Sequence, residues 1–154
     1  MGRMYTASFG GVAVTAIQDL FELNAPSDSV VALHAISVTQ SSDAGDSEAE
    51  MLRVQISRST GTSGSGGTTL TARPHNVGDA AFGGTAEANN TTQATTTTVV
   101  REETFNVQIG WFYRPAPEER IILSPGGALV VELPTAPADA LTMSGSITFE
   151  EIGG

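Results

Sequence analysis

At 154 residues, with 40% hydrophobic and 16% charged residues, the chain has the size and the apolar content of one globular domain. Seventeen Asp and Glu against seven Lys and Arg leave a formal net charge of −10, which works against the counterion release that drives DNA and RNA binding. Cysteine is absent, excluding a disulfide framework, a thiolate zinc site and a cysteine nucleophile, and no segment approaches the ~20 consecutive apolar residues of a membrane span. Neither a nucleic acid nor a membrane is therefore an expected partner. The N-terminus lacks the apolar stretch of a signal peptide, so synthesis in the cytoplasm is expected. Met1, Gly2 and Thr6 fit the short myristoylation pattern, which recurs by chance, and Met4 would serve equally as the natural start.

In chain order, the first short strand candidate is Tyr5 to Phe9. Asp19 to Leu23 follows as a strand, although Ile17, Leu20 and Phe21 would also share one face of a short helix over Val14 to Leu23. From Val30 to Thr39 both faces are apolar, as in a central strand covered on both sides. His34 lies within this run and is expected to be a hydrogen-bonded core residue rather than a metal ligand. Asp43, Asp46, Glu48 and Glu50 bunch around Gly45, without the spacing of a calcium-binding EF-hand loop. They read as a solvated acidic turn. Leu52, Val54 and Ile56 then alternate with polar residues as a strand.

Ser59 to Thr98 is the unusual region, rich in Thr and Gly and charged only at Arg73, Asp79 and Glu87. Short strands are expected at Thr68 to Ala72 and Thr95 to Val100. The segment reads either as an extended, partly ordered arm that becomes fixed against a neighbour or as a mobile surface loop. As an arm it would offer Leu70, Val77 and Phe82 for burial in an interface, Arg73 for pairing with a carboxylate, and His75 as an exposed or interfacial group. Beyond it, Phe105, Val107, Ile109, Trp111 and Tyr113 alternate as one face of a long strand. Trp111 and Tyr113 share that face with aliphatic residues and are expected in the core, with Phe112 and Arg114 opposite. Glu119 to Leu123 and Leu129 to Leu133 add strands. The clearest alternation of all closes the chain, with Leu141, Met143, Gly145, Ile147 and Phe149 on one face.

Many short strands and no long amphipathic helix predict an all-β fold, an antiparallel β-sandwich. A jelly roll is the first choice over an immunoglobulin-like sandwich, a distinction periodicity does not decide. No catalytic centre is apparent. Two histidines cannot build the metal cluster of a cupin, no GxSxG turn presents a nucleophile, and the neighbours Glu102 and Glu103, like Glu118 and Glu119, are expected on opposite strand faces. The Asn-x-Thr patterns at Asn89 and Asn90 carry little without a secretory signal. No enzyme activity, metal or cofactor is expected.

Three stretches carry a resemblance: MYTASFGGVAVTAIQDLFELNAPSDSVVALHAISVTQSSDAGDSEAEMLRVQISR at 4–58, RPHNVGDAAFGGTAEANNTT at 73–92, and PAPEERIILSPGGALVVELPTAPADALTMSGSITFEEIGG at 115–154. Together they resemble the small decoration, or cement, proteins of tailed-bacteriophage heads. The resemblance implies a non-enzymatic jelly roll on the outside of the capsid, often a homotrimer, that clamps neighbouring major capsid proteins. It assigns no ligand residue. Another virion component of the tail or head-to-tail region, and a carbohydrate-binding module, are the other readings.

Overall fold

The computed structural model describes residues 2–42 and 50–153. Among the described residues twelve strands follow one another: β1 (Arg3–Val14), β2 (Gln18–Asn24), β3 (Val30–Gln40), β4 (Met51–Ser59), β5 (Thr68–Leu70), β6 (Arg73–Pro74), β7 (Thr85–Asn90), β8 (Thr97–Asn106), β9 (Trp111–Tyr113), β10 (Ile122–Leu123), β11 (Ala128–Leu133) and β12 (Leu141–Ile152). One 3₁₀ turn at Pro117–Glu119 is the helical element among the described residues. The strands form two antiparallel sheets. Sheet A runs β10-β3-β12-β1-β6 with β9 also on β3, and sheet B runs β5-β7-β2-β11-β4-β8.

Period-two patterning builds both sheets. On β12, Leu141, Met143, Ile147 and Phe149 are buried while Thr142, Ser144, Ser146 and Thr148 face outward. β3 is central as expected, lying between β12 on one side and β9 and β10 on the other. Asp19 to Leu23 is strand rather than helix, because β7 and β11 hydrogen-bond β2 on both edges. The inward residues meet in one apolar core, each fully buried Leu, Ile or Phe contributing about 1.5–3 kcal/mol.

The first four long strands pair with the later ones in reverse order. β1 lies on β12, β2 on β11, β3 on β9 and β10, and β4 on β8. Successive strands of this ribbon alternate between the sheets, so the ribbon winds around the core. β5, β6 and β7 interrupt it between β4 and β8.

Three expectations change. Phe105 to Tyr113 is not one strand. The ladder of β8 on β4 ends at Asn106, the chain turns with Gly110 at φ +85°, and β9 resumes in the other sheet on β3. The turn leaves Ile109 74% exposed, while Val107, Trp111 and Tyr113 stay buried. Ser59 to Thr98 is likewise no detached arm or plain loop. β7 is an interior strand of sheet B with Ala86 and Ala88 in the core, β5 extends that sheet, and β6 crosses to pair with β1. Glu118 and Glu119 sit in the 3₁₀ turn rather than on a strand.

Candidate functional site

The expected interface residues Leu70, Arg73, His75, Val77 and Phe82 all belong to the insertion, and the structure divides them into two groups. Leu70 and Phe82 turn inward against the core. The Phe82 ring lies 5.5 Å from Tyr5 and 4.7 Å, edge-on, from Phe149, so its apolar surface is largely spent within the chain. Leu70 lies between two shallow clefts, one beside Phe9, Val12 and Gln18 and the other beside Phe82 and Ala86.

Arg73, His75 and Val77 point outward on a shoulder of sheet A. Pairing of Tyr5 with Pro74 and of Thr6 with Arg73 lays β6 along β1, and the His75 amide continues the ladder by donating to Met4 O at 2.8 Å. The Tyr5 hydroxyl donates to Ala80 O at 2.8 Å, holding the far side. Burial pushes the Tyr5 phenol up, and the Glu151 carboxylate adds to that, so the hydroxyl keeps its proton. Between these anchors the chain makes a tight turn. The Asp79 amide donates to Asn76 O at 3.0 Å, and the Asn76 side chain accepts from Gly78 N at 3.2 Å.

Val77 stands at the tip of this turn, 97% exposed. A branched apolar side chain displayed on a braced turn suits insertion into an apolar hollow of another molecule. His75 shares a hydrogen bond of 2.8 Å with Thr6 Oγ1, which reaches Thr148 Oγ1 at 2.9 Å across the outer face of sheet A. Arg73 is exposed and takes part in none of the ion pairs among the described residues, leaving its guanidinium free for a carboxylate outside the chain. A cleft of about 370 Å³ between Gly2, Arg3 and Met4 and the His75–Asp79 turn adjoins the shoulder. The arrangement offers contact: an apolar tip flanked by a cation and an imidazole.

The remaining candidates settle individually. Trp111 and Tyr113 are core residues stacked at 6.3 Å, and the indole donates to Glu103 Oε2 at 2.6 Å. His34 is half-buried and bonds Glu150 Oε2 at 3.0 Å, as a structural histidine would. Glu102 turns to Arg53 and Gln55 while Glu103 turns to Arg101 and Trp111, so the two carboxylates serve different partners. Asp43, Asp46 and Glu48 lie outside the described residues, and Glu50 accepts the Ala138 amide. Among the described residues no three His, Asp or Glu gather in a way that could hold a metal ion. Sequence reasoning missed Asp19, Glu22 and Glu132, three buried carboxylates on the outward face of sheet B. Compared with protein-family models, with curated proteins and with solved structures, the chain matches none.

Proposed function

We propose that this chain is a capsid decoration protein of jelly-roll type, a non-enzymatic component of the virion exterior that stabilises contacts between major capsid proteins of a phage head. The observation that carries the reading is the strand order. Pairing of β1–β4 with β12, β11, β9/β10 and β8 around one core supports the reading, since a double Greek-key jelly roll, the fold that the resemblance implies, would pair its strands in this reverse order. The shoulder at Arg73, His75 and Val77 is the proposed contact with capsid protein, and the closed core behind it supplies rigidity. Homotrimer formation belongs to the same proposal.

The test is attachment to heads of the parent phage that lack this chain, followed by co-sedimentation and electron microscopy. Saturable binding at regular positions, with better survival of the heads on heating, is the expected result. Val77→Asp together with Arg73→Glu should weaken attachment at least tenfold while leaving the melting temperature of the isolated chain within about 2 °C, since both side chains lie in solvent. Unchanged attachment would remove the shoulder from the interface. Absence of binding by the unaltered chain would remove the function.

One observation favours carbohydrate binding as a second reading. A cleft of about 390 Å³ is walled by Phe9, Val12 and Leu70 and edged by Gln18, Thr68, Asn89 and Thr91, a mixture of apolar and amide groups suited to a sugar ring. A glycan-binding screen on the isolated chain distinguishes the two readings.

A further inference from the structure

Asp19 and Glu22 on β2 and Glu132 on β11 project from sheet B away from the core, where carboxylates ordinarily meet water. They are only 1%, 1% and 7% exposed. The cover consists of two segments, 60–67 and 91–96, lying side by side. Ser65 and Thr92 exchange backbone hydrogen bonds of 2.9 and 3.0 Å, and the Thr95 amide donates to Thr62 O at 3.0 Å. Ala94 is the one apolar side chain in either segment apart from glycine, so hydrophobic burial cannot hold this cover down. The carboxylates do. Glu22 accepts from Ser63 Oγ at 2.6 Å, Gly64 N at 2.9 Å and Asn90 Nδ2 at 3.1 Å, and Asp19 Oδ2 accepts the Ala94 amide at 2.7 Å.

Glu22 is fully served by these donors. Asp19 and Glu132 are not: they are direct partners across the β2–β11 ladder, and Asp19 Oδ1 and Glu132 Oε1 are each buried without a hydrogen-bond partner. Among the described residues no cation pairs with them. Arg53 on β4 is turned to Glu102 at 3.1 Å, Glu87 on β7 is acidic and bonds Asn90, and Ser57, Gln93 and Thr97 are neutral. Two opposed carboxylates in a dry setting without a counter-ion cannot both stay ionised cheaply.

We propose that a proton held by the cross-strand pair Asp19 and Glu132 latches segments 60–67 and 91–96 over sheet B, so that loss of this proton loosens the cover. The proton removes one of the two buried charges. Burial pushes Asp19 up to about 7, against the pull of the Ala94 amide and with the help of Glu132 and Glu22. Burial raises Glu132 as well, opposed in part by the hydroxyls of Thr97 and Ser57. With the cover open, Asp19 returns toward its ordinary 3.8. The closed state therefore binds the proton more tightly. Its advantage is complete below 3.8, is lost progressively as the pH rises to about 7, and changes no further above that.

Hydrogen exchange of the Gly64, Ser65, Thr92 and Ala94 amides, corrected for the intrinsic pH dependence of exchange, reads the opening of the cover directly. In the full-length chain the opening constant is expected to rise up to about tenfold per pH unit between 4 and 7 and then to level off. Asp19→Asn should flatten this profile, because the amide can accept from Ala94 through oxygen and donate toward Glu132 through nitrogen at every pH. A profile already flat in the unaltered chain, or an Asp19→Asn profile of unchanged slope, would overturn the proposal. Should the variant fail to fold, carboxyl-carbon NMR titration of the unaltered chain decides. A midpoint for Asp19 near 7 sustains the latch, and one near 4 ends it.

Discussion

Phe82 closes one end of the core by reaching out of the insertion to Tyr5 and Phe149. Its replacement by alanine should cost about 2–4 kcal/mol of unfolding free energy, read by urea denaturation, because the cavity opens among three rings. Gly145 matters for the opposite reason. A Cβ built there would come within 2.9 Å of Ser37 O, 3.0 Å of a Phe9 ring carbon and 3.1 Å of a Phe21 ring carbon. Gly145→Val is expected to destabilise by about 1–3 kcal/mol through overpacking in the same assay. Some of these residue roles were legible in the sequence. His34, expected in the core, is hydrogen-bonded to Glu150 but lies half-buried outside the core, whereas Trp111 and Tyr113 declared themselves by sharing a face with Val107. Phe82 did not, since a lone aromatic among glycines carries no period. Asp19 and Glu22, three positions apart, share the outward face only because the ladder is irregular at Leu20, and their burial depends on segments more than 40 positions away that no local pattern announces.

Among the elements, those with sustained alternation over a single sheet were readable: β3, β4, β11 and β12. The misreading of Phe105 to Tyr113 has a physical origin, because the apolar alternation runs on through a turn that carries the chain from one sheet to the other. Gly110, in a left-handed conformation, was the one local mark of that turn. β5 was expected within Thr68 to Ala72, whereas β6 and β7 escaped notice, β7 because its inward residues are small, Ala86 and Ala88, and because the pairing that makes it a strand comes from distant β2. The consequence is testable. Replacing Gly64 to Asn90 by a short Gly-Ser linker would remove β7 from β2 and strip the Gly64 and Asn90 donors from Glu22. The shortened chain is expected to lose its cooperative urea transition, whereas a passive loop in that place would leave the midpoint unchanged. The open edge of sheet B is guarded differently. β8 pairs only with β4, yet a bulge at Val100 and the charges of Arg101, Glu102 and Glu103 disturb its outer rim and discourage addition of a foreign strand.

For the molecule as a whole, far-ultraviolet circular dichroism should show β structure with almost no helix, and helix in about a third of residues would contradict the fold. The reverse-order pairing has a further consequence, in the time domain. β1 finds its main neighbour only in β12, and β2 finds one of its two in β11, so the first strands of this domain to leave a ribosome wait for its last ones before either sheet can close. Loop closure over such separations is slow. Chains released at Ala140, which hold every strand except β12, would leave both β1 and β3 without their longest ladder. They should remain protease-sensitive however long they are given to fold, and full-length chains should acquire resistance in a single late step. Folding of this domain thus waits for the synthesis of its last strand.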